Sequence, residues 1–173
     1  MISKKMNSAL NRQIANEMNA SFKYLAMSYQ FSDMGLLIFG KRFRQQSDEE
    51  RGHALRIADY IQDVGGSVVL ETVEKPKSKY PGAKSMVEAA LESERTVTAQ
   101  INDLVDLAFS EKDHATQSFL KWFVDEQVEE EKSMNDLLQM MKLAGDQNLF
   151  LVEHRILSIK PEEGVPGEDS GGD

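Results

Sequence analysis

No cysteine occurs anywhere in the 173 residues of this chain. That excludes thiol catalysis, cysteine-ligated iron–sulfur or zinc centres and any disulfide framework. Long apolar runs are missing as well: no window of about eighteen consecutive apolar residues is present, the length a membrane-spanning helix needs. The opening stretch MISKKMNSALNRQIANEMNA carries the basic residues that begin a secretory signal but no continuous apolar segment behind them. Clusters of Lys and Arg are absent too, and the formal net charge is −9, which disfavours a nucleic-acid or anionic-membrane surface. The expectation is a soluble, cytoplasmic protein whose partners are cations, with neither nucleic acid nor membrane among them.

What is present is helical periodicity. Four long segments repeat apolar residues every 3.5 to 3.6 positions, separated by Met34-Gly35, by a stretch from Gly65 to Ala83 holding Pro76 and Pro81, and by Glu111-Lys112-Asp113. Steps of three and four give the inward stripe of each segment. The first helix offers Leu10, Ile14, Glu17, Ser21, Tyr24, Ser28 and Phe31. The second offers Phe39, Phe43, Gln46, Glu50, His53, Ile57, Tyr60 and Val64. The third gives Val87, Ala90, Glu94, Val97, Ile101, Leu104 and Ala108, and the fourth Leu120, Phe123, Gln127, Glu130, Met134, Leu137 and Met141.

Short turns make the first and second helices one antiparallel hairpin, and the third and fourth another. The stretch between the hairpins is long for a compact domain. Fully extended at about 3.3 Å per residue it reaches about 60 Å, more than the roughly 42 Å length of a helix of about 28 residues. It can therefore run back along the bundle and set the second and third helices parallel. The expected fold is all-α, a four-helix bundle with one long crossover. A short fifth helix is expected over residues 148–158, with Leu149, Phe150, Val152, Ile156 and Leu157 apolar. Residues 1–160 read as one domain, followed over 161–173 by an acidic, mobile tail, PEEGVPGEDSGGD.

Every inward stripe turns polar at its middle. Within each hairpin the polar residues sit at equal distance from the turn, so Glu17 is level with Glu50 and His53, and Glu94 with Gln127 and Glu130. Glu17 and Glu50 are thirty-three residues apart, as are Glu94 and Gln127, which makes the two hairpins a weak internal repeat. One bundle brings four carboxylates into one dry space. Left ionised and uncompensated, they would cost more than the ~5–15 kcal/mol by which a domain is stable. No Lys or Arg stands at the central stripe positions. Two divalent ions balance four glutamates, with the His53 imidazole and the Gln127 amide as neutral partners. Oxygen-rich ligation with a single imidazole suits Fe(II) or Mn(II) better than structural zinc, and carboxylates can bridge two ions ~3.5–4 Å apart.

The segments NEMNASFKY, DEERGHA, ESER and WFVDEQVEEEK stand where the motifs of the bacterial non-haem ferritins stand, and residues 1 to about 160 resemble that family in helix order and length. The resemblance implies a ferritin-like bundle that acts as a ferroxidase, taking O2 or H2O2 as oxidant. It also implies storage of the iron as ferric mineral inside a homo-oligomeric cage of about twenty-four subunits. It assigns Glu17, Glu50 and His53 to one iron, with Glu50 bridging to a second iron held with Glu94 and Glu130 and with Gln127 nearby. A third, weaker iron position is implied at Glu49, Glu126, Glu129 and Glu130, and Asp113 falls near the family's ion-access region. Haem is not expected, because Arg51 stands where bacterioferritins have their haem-ligating Met, and the fourth helix reads Gln127-Val128-Glu129-Glu130 rather than Glu-x-x-His.

Other readings stay open at this level. Glu50 and His53 could form a satisfied buried pair in a metal-free helical oligomer, and Glu49, Glu126 and Glu129 could be a solvated face. The site could also serve a di-iron redox enzyme, peroxidase- or oxygenase-like, that retains two irons and stores none. Tyr24, seven residues from Glu17 on the same stripe, could supply an electron or a hydrogen bond to the site, or could simply pack. Trp122, Met134, Met140 and Met141 read as core or interface, and His114 and His154 lack nearby ligand partners in sequence.

Overall fold

In the computed structural model, residues 2–158 are described; the acidic segment expected from residue 161 lies outside them. Four long helices, α1 (Lys4–Asp33), α2 (Leu37–Asp63), α3 (Ala83–Ser110) and α4 (His114–Ala144), are followed by one 3-10 turn, Asp146–Asn148, and by α5 (Leu149–Ser158). There is no strand among the described residues, and none of their helices is long and apolar enough to cross a membrane.

Local chemistry sets the helix ends. Ser3 caps α1 by accepting from the Met6 N–H at 3.0 Å, and Asp113 caps α4 through the Thr116 N–H at 3.1 Å. The start of α2 has no cap of its own. Glu153 of α5 reaches across and accepts from the Ile38 and Phe39 N–H groups at 2.7 and 3.3 Å, so the fifth helix closes an end the sequence leaves open. The first hairpin turns through Gly35, at φ +79°, a left-handed conformation that glycine adopts without strain.

Cross-helix pairs give the topology. Ser21 bonds Ser47 across α1 and α2, Lys23 bonds Ser93 and Ser3 bonds Glu111 across α1 and α3, and Gln127 bonds Glu94 across α3 and α4. Helix α1 therefore runs antiparallel to both α2 and α3, which makes α2 and α3 parallel.

The crossover, residues 64–82, has no regular secondary structure and is pinned along α1 by side-chain amides. Asn7 exchanges two hydrogen bonds with the Ser67 backbone at 3.0 and 3.2 Å. Asn11 donates to Ser67 O at 2.9 Å and accepts from Val69 N–H at 2.7 Å. Asn19 accepts from Glu74 N–H, and Gln30 exchanges two bonds with Tyr80. These amides satisfy backbone groups that a strand partner would otherwise have to pair.

The inward stripes of α1, α3 and α4 are buried at every expected position; on α2 only Tyr60 and Val64 fall short. The apolar core divides into two halves. One gathers around Tyr24, Phe31, Phe39, Phe43, Met134 and Met141, the other around Leu10, Ile14, Ile57, Ile101, Leu120 and Phe123. Between them lies a belt of buried polar residues. Of the apolar residues of α5, only Val152 is buried, while Phe150 and Leu157 are exposed. The start of that helix differs from expectation because Gly145, at φ +75°, first feeds the 3-10 turn.

Candidate metal centre

The polar belt holds Glu17, Glu50, His53, Glu94, Gln127 and Glu130, none more than 6% exposed. Each is carried inward by the stripe of its own helix, and the two antiparallel hairpins bring them to one height. Oxygen and nitrogen atoms of Glu17, Glu50 and His53 lie within 4.8 Å of one another. His53, Glu126 and Glu130 form a second such group, also within 4.8 Å. The second group draws Glu126, half-buried on α4, towards His53. Glu49 and Glu129 are exposed and belong to neither group.

Partners are unevenly shared. Glu17 accepts from Gln13 Nε2 at 2.9 Å, and Glu50 from Gln46 Nε2 at 3.3 Å. Glu94 accepts from the Tyr24 hydroxyl and, at 3.3 Å, from Gln127 Nε2. The remaining Oε2 of Glu17, Oε2 of Glu50 and Nδ1 of His53 are buried without a hydrogen-bond partner. Glu50 Oε2 and His53 Nδ1 stand 3.3 Å apart, close enough for an ion pair but not aligned as donor and acceptor. Buried polar atoms are rarely left in that condition. These three belong to three residues whose ligand atoms lie within 4.8 Å of one another, an arrangement a cation completes. The donor set, carboxylate oxygens with one imidazole nitrogen, fits Fe(II).

Electrostatics agree with the geometry. Burial, reinforced by Glu50, pushes the Glu94 carboxyl up to about 7, and burial together with Glu94 and Glu50 pushes Glu130 up to about 9. Glu17 is raised well above the ordinary carboxyl range by burial and by Glu50. Burial and Glu94 likewise raise the Tyr24 hydroxyl. At His53 burial acts to lower the pKa, but the Glu50 carboxylate outweighs it and the net shift is upward. Without metal the belt retains protons at neutral pH; divalent cations would displace them.

The imidazole is also held sterically. Trp122 and Phe123 meet His53 edge-on, with ring centroids 5.4 and 5.9 Å away, and the Arg56 guanidinium lies over Trp122 at 4.1 Å. Trp122, expected in core or interface, is thus a wall of the centre. Three further residues escaped sequence reasoning as parts of the site. Gln13 and Gln46 each stand four residues before a site glutamate, and that shared spacing, which places both on one helix face, was the available signal. Lys23 is half-buried and donates to Ser93 Oγ at 2.8 Å. Burial lowers its pKa, against the pull of Glu94 and Glu50, so a cation does stand beside the belt, reaching in from an off-stripe position. Asp113 spends both oxygens on Thr116, at 3.1 and 2.6 Å, as a helix cap.

Comparison with known proteins places this geometry. Residues 7–144 match the ferritin-like domain. The chain is 39% identical over 156 residues to a bacterial non-heme ferritin of Bacteroides fragilis (strain 638R), covering 90% of this chain and 98% of that one. It is 36% identical over 158 residues to one of Staphylococcus epidermidis (strain RP62A), covering 90% and 95%. An open pore ferritin from the hyperthermophilic archaeon Archaeoglobus fulgidus superposes with a TM-score of 0.88 at 38% identity, covering 92% of this chain and 98% of that one. A humanized archaeal ferritin superposes at 0.89 with 37% identity, covering 92% and 98%. By domain, by sequence and by backbone, the chain belongs to the ferritin family.

Proposed function

We propose that this protein is an iron-storage ferritin with ferroxidase activity. Two Fe(II) ions bind per subunit as substrate, one at Glu17, Glu50 and His53, the other at Glu50, Glu94 and Glu130 beside Gln127. Each gives up one electron; O2 takes the pair with two protons to form H2O2, or H2O2 takes the pair with two protons to form two waters. The carboxylate-rich pocket stabilises Fe(III) over Fe(II) and so favours oxidation. Gln127 is neutral and tempers the affinity, so that iron moves on. Tyr24, hydrogen-bonded to Glu94, holds that carboxylate and stands where it can give an electron. Glu126, with Glu49, Glu129 and Glu130, forms a third, weaker iron position. The product is stored as ferric mineral inside a hollow homo-oligomer of about twenty-four subunits, in the cytoplasm and without haem.

One observation carries this reading: Glu17, Glu50 and His53, whose ligand atoms lie within 4.8 Å of one another, each keep a buried atom without a hydrogen-bond partner, Glu17 Oε2, Glu50 Oε2 and His53 Nδ1. The test is aerobic addition of Fe(II), following oxidation by absorbance and retained iron by size exclusion. Storage requires many irons per subunit in a large particle. Retention of only two would identify a di-iron redox enzyme instead, and no oxidation above the buffer rate would leave a metal-free helical protein.

A further inference from the structure

Between α3 and α4 lies a cavity of about 340 Å³, lined by Thr98, Asn102, Val124, Gln127, Val128 and Glu131 among others. It holds room for several small molecules, since one water occupies about 30 Å³ in the liquid. Its wall contains no cationic residue and one acid, Glu131, and that acid is already engaged: Glu131 Oε1 accepts from Thr98 Oγ1 at 2.6 Å. Its inner wall is Gln127, 3% exposed, whose amide separates the cavity from Glu94.

That amide is loosely held. Gln127 Nε2 divides its contacts among Glu94 O and Glu94 Oε2, both at 3.3 Å, and Thr98 Oγ1 at 3.4 Å. None approaches the ~2.9 Å of a good N–H···O bond, so swinging the amide aside gives up little. The acids that would attract a cation, Glu49, Glu126 and Glu129, belong to α2 and α4, and Glu126 is grouped with His53. A divalent ion is drawn to those acids. An uncharged molecule feels no such pull and gains nothing by competing there.

We propose that the oxidant reaches the iron site by its own route, the α3–α4 cavity, with the Gln127 amide as the panel that yields to it. The ligand class is a small, neutral two-electron oxidant, O2 or H2O2. Fe(II) arrives over the acidic residues of α2 and α4 instead. Separate routes let the second substrate enter without displacing the first. This inference rests on the ferroxidase reading above and assigns its second substrate.

The test narrows the mouth of the cavity in the full-length assembled protein. Val128 is 67% exposed, so Val128→Trp fills the mouth without disturbing the core; Val124→Phe narrows the interior as an independent variant. Anaerobic Fe(II) binding is measured first, then the oxidation rate as a function of O2, and separately of H2O2 under argon. The expected result is unchanged Fe(II) stoichiometry and affinity, with the second-order rate constant for both oxidants lowered at least about fivefold. A drop for only one oxidant restricts the route to that molecule, which still supports it. Unchanged oxidant dependence in both variants overturns it, and so does weakened Fe(II) binding with normal oxidant dependence, which would make the cavity the iron's route. Failure of the ferroxidase reading looks different: the unmodified protein itself would neither bind Fe(II) anaerobically nor oxidise it.

Discussion

Stripped of metal, this protein should lose stability as pH rises from 5 to 8, because its buried carboxyls are held protonated. The folded-state values of about 7 for Glu94 and about 9 for Glu130 stand above an ordinary value of 4.5. A carboxyl with a raised folded pKa binds more protons folded than unfolded, so unfolding free energy falls with pH between the two values. For Glu94 that window is pH 4.5 to about 7, and for Glu130 pH 4.5 to about 9. Each unit inside a window costs about 1.4 kcal/mol per group. The pair together therefore costs on the order of 5 kcal/mol between pH 5 and 7, and Glu130 alone about 1 kcal/mol more by pH 8. Both side chains are almost fully buried, so solvent screening takes little from this figure. His53, whose pKa is also raised, acts in the same direction: its contribution is full below its unfolded value and is lost as pH rises through the folded one. At roughly 2–4 °C per kcal/mol for a chain of this size, the total of about 6 kcal/mol should lower the melting temperature by about 12–24 °C between pH 5 and 8. The assay is calorimetry in chelator at pH 5, 7 and 8 and fixed ionic strength, repeated with saturating Zn(II), which is redox-inert. Zn(II) should restore most of the loss at pH 8. Glu130→Gln, which cannot ionise, should raise the metal-free melting temperature at pH 8, leave it nearly unchanged at pH 5 and flatten the profile between. A metal-free profile that is flat or rising, or one equally steep in Glu130→Gln, would refute the reasoning.

Two further predictions concern the frame that holds the site. Asn11→Ala removes the amide that pairs Ser67 O and Val69 N–H; it should cost about 1–3 kcal/mol and speed hydrogen exchange at Val69 while leaving exchange within α4 unchanged. At Gly40 an added methyl would meet Ser32 Oγ at 2.6 Å and the Ser28 carbonyl at 3.0 Å, whereas at Gly52 it meets nothing within 4 Å. Gly40→Ala should therefore destabilise by about 1–3 kcal/mol and Gly52→Ala stabilise by about 1 kcal/mol, as read from paired thermal melts.

Much of the fold is legible from spacing alone. Helical periodicity places Leu10, Phe31, Phe43, Leu120 and their neighbours inward, and the length of the crossover forces α2 and α3 parallel. The same arithmetic levels Glu17 with Glu50, and Glu94 with Gln127. The amides that pin the crossover were not legible. Asn7 and Asn19 lie off the inward stripe, and spacing along α1 does not show the loop whose backbone they pair. Nor was the capping of α2 by Glu153, since the two are more than a hundred residues apart. The burial of a single residue on α5 was hidden for a related reason: periodicity says which face is apolar, not whether a partner surface within the chain is wide enough to cover it.

The sequence by itself determined that these helices form and that each carries a polar interruption at mid-height. It also determined that the charge gathered there is negative, because periodicity and residue type are properties of each segment alone. Tertiary structure decided how the interruptions divide their partners. It gave Tyr24 and Gln127 to Glu94, let Lys23 reach Ser93 from beside the stripe, set Glu126 next to His53, and left Glu17, Glu50 and His53 each with an unpaired atom. Those outcomes depend on the rotation and sliding of one helix against another, and packing of side chains at the two apolar halves sets them, at a scale of tenths of an ångström that no spacing along a single helix can express.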